Sequence, residues 1–196
     1  MFRLIKHVYD DYIDNPHHTN LKYLNDLALN GELTKMKEYV EVCRANNKPL
    51  YWDASTFKAS MSRNMNFAML HYLHDNGCHW DKSTFSLKCT HNIVKMGSVK
   101  ILIQYVEMCQ KYGVPIYWSA SLFTIILRGG YYRCVEMVKE LQKQGCPWNA
   151  DVFTVGISSR DYRDDNGELF ILFKQHNCPF DKNTVAMAAK FGHINT

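Results

Sequence analysis

Gly145-Cys146-Pro147-Trp148-Asn149-Ala150-Asp151-Val152-Phe153 holds a complete helix-to-helix passage in nine residues. The glycine suits the left-handed position that ends a helix. The tryptophan follows, and then Asn149, a residue type that starts a helix by accepting a backbone N–H. Phe153, five residues after the tryptophan, falls on the first turns of that new helix. The passage recurs as Gly77-Cys78-His79-Trp80-Asp81-Lys82-Ser83-Thr84-Phe85 and as Asn177-Cys178-Pro179-Phe180-Asp181-Lys182-Asn183-Thr184-Val185.

A longer form links two further copies. Pro49-Leu50-Tyr51-Trp52-Asp53-Ala54-Ser55-Thr56-Phe57 matches Pro115-Ile116-Tyr117-Trp118-Ser119-Ala120-Ser121-Leu122-Phe123 at an offset of 66. Over positions 31–57 the offset gives 11 identities in 27, where chance at about one in twenty would give one or two. Half of 66 is 33, and the loop aromatics Trp52, Trp80, Trp118, Trp148 and Phe180 scatter around that spacing. Each is followed by an N-cap type: Asp53, Asp81, Ser119, Asn149 or Asp181. The helix before each loop is expected to stop on Gly77, Gly145 or Asn177, and at Pro49 and Pro115 because proline cannot continue a helix. A first helix of about ten residues closes on Gly31, Asn64, Gly97, Gly130 or Gly192. A second helix then carries an apolar stripe such as Leu33, Met36, Val40, Cys43 or Val135, Val138, Leu141. The expected fold is therefore all-α: an α-solenoid of stacked helix-turn-helix repeats, about five and a half of them.

The Gly-Cys-Pro-Trp-Asn and Asn-Cys-Pro-Phe-Asp strings, together with Ala186-Met187-Ala188-Ala189-Lys190-Phe191-Gly192-His193-Ile194, resemble the divergent ankyrin repeats of giant DNA viruses. Such repeats also occur in some amoebae, oomycetes and algae. The resemblance covers roughly residues 20–196, is strongest in the loops, and departs from ordinary ankyrin repeats in lacking a Thr-Pro-Leu-His helix start. It implies an ankyrin-like repeat array over 20–196 whose last repeat is incomplete. Residues 1–19 match no repeat; Phe2, Leu4, Ile5, Val8, Tyr9 and Ile13 read as an N-terminal capping helix.

Composition agrees with a packed, intracellular chain. Of 196 residues 46% are hydrophobic and 21% charged, which excludes intrinsic disorder. The formal charge of +4 is spread without a basic run, so nucleic acid is not an expected partner. No signal peptide or stretch of 18 apolar residues is visible, so neither secretion nor a membrane is expected. Seven cysteines without a CxxC pair do not make a disulfide framework. The expected location is intracellular: host cytoplasm or virion, if the viral resemblance holds.

Catalytic signatures are missing: no P-loop, GxGxxG, GxSxG, HExxH or kinase motif occurs. The expectation is a non-enzyme with no cofactor and no metal. His71, His74, Cys78 and His79 form the best metal candidate. Against it, Cys78 shares its slot with Leu50, Ile116, Cys146 and Cys178, which reads as packing. The loop 161–168 lacks an acidic residue at the first position of a calcium loop, which would be Tyr162. The loop aromatics are expected to pack between repeats. Arg63, Arg128, Arg160 and Lys190, with His91, recur near the ends of first helices, where cations favour the helix dipole or face an acidic partner.

Stacked helix pairs offer an extended surface rather than a cleft for catalysis. The expected function is a protein-protein interaction module, an adaptor or scaffold binding a host or viral protein through the concave surface. On the ankyrin analogy the contacts are Ser55, Lys58, Lys82, Lys88, His91, Arg128, Tyr131, Tyr132, Asp151 and Arg160, with Arg128, Tyr131 and Tyr132 as anchors. The alternative is a structural component of a virion-like assembly, self-associating through the incomplete C-terminal repeat.

Overall fold

The passages between helices obey one local rule. In a computed structural model, which describes residues 16–62, 65–81, 84–129, 134–158 and 167–191 (side chains from 20 onward), Gly77, Gly145 and Asn177 sit at φ of 81°, 77° and 51°. The next N–H then reaches back to a carbonyl five residues earlier: Cys78 N to Leu73 O at 2.9 Å, Cys146 N to Leu141 O at 3.0 Å, Cys178 N to Phe173 O at 2.8 Å. This double turn satisfies two of the carbonyls a helix end leaves open.

The prolines are not the stops expected of them. Asn47 and Gly113, at φ of 52° and 64°, end the two longer helices in the same left-handed way. Lys48 N to Cys43 O and Val114 N to Cys109 O, both 2.8 Å, complete the motif before Pro49 or Pro115 is reached. The long loops thus differ from the short ones by two residues placed after a shared helix stop, so the aromatic slips relative to that stop.

Two compact units result, Met1–Thr84 and Phe85–Thr196. Among the described residues the regular secondary structure is α-helix, with no strand. In the first unit lie α1 (Pro16–Asn30), α2 (Leu33–Ala45), α3 (Ala54–Met61) and α4 (Phe67–Asp75). The boundary at 19/20 falls inside α1, and residues 1–15 of the expected cap lie outside the described residues. α1 packs on both α2 and α3, and α3 on α4. Leu24, Met36, Val40, Met69, Leu70 and Leu73 are fully buried there, each contributing roughly 1.5–3 kcal/mol relative to exposure. Asn20, also fully buried, ties the 49–51 loop to α1: its Nδ2 donates to Pro49 O at 3.4 Å and its Oδ1 accepts from Tyr51 N at 3.3 Å.

The second unit holds α5 (Leu87–Lys95), α6 (Val99–Lys111), α7 (Ser121–Gly129), α8 (Cys134–Lys143), α9 (Ala150–Ser158), α10 (Glu168–Gln175) and α11 (Lys182–Lys190). Each short first helix packs on the next, α5 on α7, α7 on α9, α9 on α11. The second helices form a parallel set of contacts, α6 on α8 and α8 on α10, and each first helix also packs on its own second helix. Phe123, Ile126, Leu102, Val138, Val152, Leu169 and Phe173 fill the space between the two sets.

Helix starts follow the N-cap expectation with one exception. Asp53, Ser119, Asn149 and Asp181 each accept a backbone N–H of the following turn, from Ser55, Ser121, Val152 and Asn183 respectively; such caps are worth about 1 kcal/mol each. Asp81 instead closes a turn on Thr84, accepting its N–H at 3.0 Å, and α5 begins only at Leu87. The reason is length. Seventeen residues separate Trp80 from Gly97, where twelve separate Trp118 from Gly130, and the surplus is taken up before the helix.

Candidate functional site

The ten residues proposed from sequence fall in different places. Ser55 and Lys58 are on α3 of the first unit; Lys88 and His91 on α5, Arg128 on α7 and Asp151 on α9 of the second. Lys82, Tyr131, Tyr132 and Arg160 lie outside the described residues, as does Arg63 of the basic series.

Several first helices are pinned to the next by short polar side chains about thirty residues apart. In the first unit Asn25 Nδ2 donates to Ser55 Oγ at 2.8 Å, and Thr56 Oγ1 donates to Asn25 Oδ1 at 2.7 Å. Ser55 is therefore engaged in joining α1 to α3. In the second unit His91 Nε2 meets Ser121 Oγ at 2.8 Å, and Thr154 Oγ1 meets Thr184 Oγ1 at 2.8 Å.

Between α7 and α9 a cleft of about 530 Å³ opens instead. Ser119, Ser121, Thr124, Asn149 and Thr154 line it, with Arg128 and Asp151 among its walls. The fold supplies both charges locally: Arg128 closes the last turn of α7 and Asp151 opens the first turn of α9, each favourable toward its helix dipole. Both are exposed. Asp151 accepts only a long 3.4 Å contact from Asn149 Nδ2, and Arg128 makes no ion pair among the described residues. The structure thus brings Arg128 and Asp151 together with hydroxyls that the sequence reading passed over. Thr124 and Thr154 each stand six residues after a loop tryptophan, a register that could have found them.

His91 does not extend a cationic stripe at neutral pH. Burial, with Lys95 nearby, holds its imidazole below the ordinary histidine range. Its contact with Ser121 is at the distance a serine nucleophile needs. Yet no carboxylate orients the other ring nitrogen among the described residues, so the pair reads as one of the polar links between first helices. Of the remaining cations, Lys190 lies 5.9 Å from the Phe191 ring centre.

Three loop aromatics meet the phenylalanine of the preceding repeat. Trp80 meets Phe57 edge-on at 5.3 Å, and Trp148 stacks on Phe123 at 5.1 Å and 20°. Both are half-buried rather than sealed, whereas Phe180 is 70% exposed. Phe180 meets the Phe153 ring of the preceding repeat at 6.3 Å, but its outer face is open because no second helix among the described residues covers its loop.

The cysteine slot is buried at Cys78, Cys146 and Cys178, while Leu50 and Ile116 are only half-buried. The thiols also donate: Cys78 Sγ to Asp53 O and Cys146 Sγ to Ser119 O at 3.4 Å, Cys178 Sγ to Asn149 O at 3.9 Å. Each acceptor is the N-cap residue one repeat back, a role no packing argument revealed. Burial pushes all three thiols up to about 12. At the metal candidate, His74 stacks on Trp80 at 4.6 Å and contacts Asp75 at 3.1 Å. Among the described residues no group of three or more His, Cys, Asp or Glu side chains converges as a metal set, and no helix is long and apolar enough to cross a membrane.

No family model matches the chain, and no curated protein matches it at a significant level.

Proposed function

We propose that the chain is a non-catalytic protein-interaction module built as an ankyrin-like α-solenoid, an adaptor or scaffold for a host or viral protein if the giant-virus resemblance holds. The observation that carries this reading is the polar cleft between α7 and α9. A cation, a carboxylate and several hydroxyls on neighbouring repeats make a surface that recognises side chains of both signs. Ser121 in its lining meets His91, but no carboxylate among the described residues orients that imidazole for activation. Lys88, exposed on α5, adds a cation on the same set of first helices. Arg anchors of this kind are frequent among interface hot spots.

The test is site-directed photo-crosslinking in cells that express the protein. A crosslinker at Thr124, inside the cleft, is compared with one at Lys100 on α6. The reading expects a discrete protein adduct from Thr124 only, and its loss on combining Arg128→Glu with Asp151→Lys. Equal adducts from both positions, or indifference to the charge reversal, sinks it.

A further inference from the structure

We propose that Asn30, at the end of α1, is a site of spontaneous deamidation, and that hydrogen bonding spares Asn76 in the equivalent Asn-Gly step. Three asparagines stand at helix ends, each just before a left-handed residue: Asn30 before Gly31, Asn46 before Asn47 and Asn76 before Gly77. Two of them are held. Asn46 Nδ2 donates to Val42 O and Asn76 Nδ2 to Tyr72 O, both at 2.8 Å. Asn76 Oδ1 also accepts from Arg44 Nη2 at 2.9 Å. Asn30, the exposed last residue of α1, has no side-chain hydrogen bond among the described residues.

Asparagine is thermolabile for a definite chemical reason. The backbone nitrogen of Gly31, once it loses its proton, attacks Asn30 Cγ. The new N–C bond closes a succinimide, the Cγ–Nδ2 bond breaks, and the amide nitrogen departs as ammonia. Water then opens the ring at either carbonyl, leaving an aspartyl or an isoaspartyl carboxylate; nothing is oxidised or reduced. Glycine offers no side chain to shield the attacking nitrogen. The reaction therefore needs a side-chain amide free to turn and a backbone N–H free to ionise. Gly31 N reaches Ala28 O at 3.2 Å, against 3.0 Å for Gly77 N to His74 O, and terminal turns fray. At Asn76 both bonds of the side chain must break before the ring can close.

The product disturbs a junction of three helices. A carboxylate at the C-terminal end of α1 opposes the helix dipole and stands two residues from Glu32. The isoaspartyl form also adds a methylene to the main chain inside the turn between α1 and α2. That turn is closed by Glu32 N donating to Leu27 O at 2.9 Å. Gly31 O accepts from Asn66 Nδ2 at 3.4 Å, and the same Asn66 caps α4 by accepting from Met69 N at 3.0 Å. Deamidation at Asn30 therefore loosens the α1–α2 turn and its tie to α4. All of this lies in the first unit and stands apart from the polar cleft.

The experiment ages the whole chain at pH 8, folded and in guanidinium chloride, and follows both asparagines by peptide mapping with mass spectrometry. Electron-transfer fragmentation separates isoaspartate from aspartate. In denaturant the two sites should react at similar rates, because each is followed by glycine. In the folded chain Asn30 should react at least about tenfold faster than Asn76, whose side chain holds two hydrogen bonds. Arg44→Ala should speed the reaction at Asn76 and leave Asn30 unchanged. The deamidated fraction, separated by ion exchange, should melt below the fresh protein, and Asn30→Gln should not accumulate it. Equal rates at the two sites in the folded chain overturn the proposal. So does an Asn76 rate untouched by Arg44→Ala, or a deamidated fraction that melts with the fresh protein.

Discussion

The ring of Phe173 rests directly on Gly156: a Cβ built there would come within 2.4 Å of Cε2 and 2.7 Å of Cζ. α9 and α10 approach because the glycine leaves that space. Gly156→Ala sets a gain of about 1 kcal/mol in helix propensity against an overpacking cost of about 1–3 kcal/mol. The ring is fully buried and cannot swing away, so the cost wins. We expect a net loss of up to about 2 kcal/mol in urea denaturation. In a Phe173→Leu background the same substitution should cost less. Equal losses in both backgrounds would remove the ring from the explanation.

Trp148 is sandwiched rather than sealed, stacked on Phe123 and edge-on to Phe173. Truncating it removes both ring contacts and opens the space between two repeats. Trp148→Ala should cost about 2–4 kcal/mol, below the upper values for fully buried tryptophans because one edge is solvated. Trp148→Phe should recover more than half of that. A midpoint unchanged in Trp148→Ala would mean the stacking contributes nothing to stability.

What the sequence made legible is what side-chain type alone decides. Asn149 and Asp181 advertise helix starts, Gly77 and Gly145 advertise left-handed stops, and the 33-residue rhythm places the buried stripe of Met36, Val40 and Cys43. Three things depended on geometry instead. Asn47 ends α2 where Pro49 looked sufficient, because asparagine tolerates the left-handed region without announcing it. Asp81 carries a cap signature yet closes a turn, because surplus residues follow it. The cleft at Arg128 and Asp151 joins residues 23 positions apart, and the polar residues joining the first helices draw on Ser, Thr, Asn and His interchangeably, so no single letter marks them.

The cysteines give stability a pH dependence of definite sign. Cys78, Cys146 and Cys178 are held protonated up to about 12 by burial, whereas an unfolded thiol ionises near 8.5–9. Above that value the unfolded chain binds fewer protons than the folded one, so unfolding becomes more favourable as pH rises. The contribution is whole below pH about 8.5 and is lost progressively up to about 12, by about 1.4 kcal/mol per pH unit for each thiol. Replacing all three by alanine should flatten the alkaline limb of a stability-against-pH curve. The native thiols should also resist iodoacetamide at pH 8 and react only on unfolding. Rapid alkylation of the folded chain would show them to be accessible.

α11 should be the least protected helix of the second unit. Only Thr184 and Ala188 are buried along it, and Val185 faces solvent. Its anchors are polar and local: the Asp181–Thr184 capping box and the Thr154–Thr184 contact at 2.8 Å. Against these, α7 and α9 each bury four or more side chains between neighbours on both sides. Local opening is cheapest where apolar burial is least. Hydrogen-exchange mass spectrometry at low protein concentration should therefore show residues 182–190 exchanging first, before α9 and well before α7. Thr184→Val, which removes the hydroxyl from both the capping box and the Thr154 contact, should speed that exchange further while leaving α5 and α7 unchanged. Strong protection of 182–190 in the dilute monomer would mean that the face bearing Val185 is already covered.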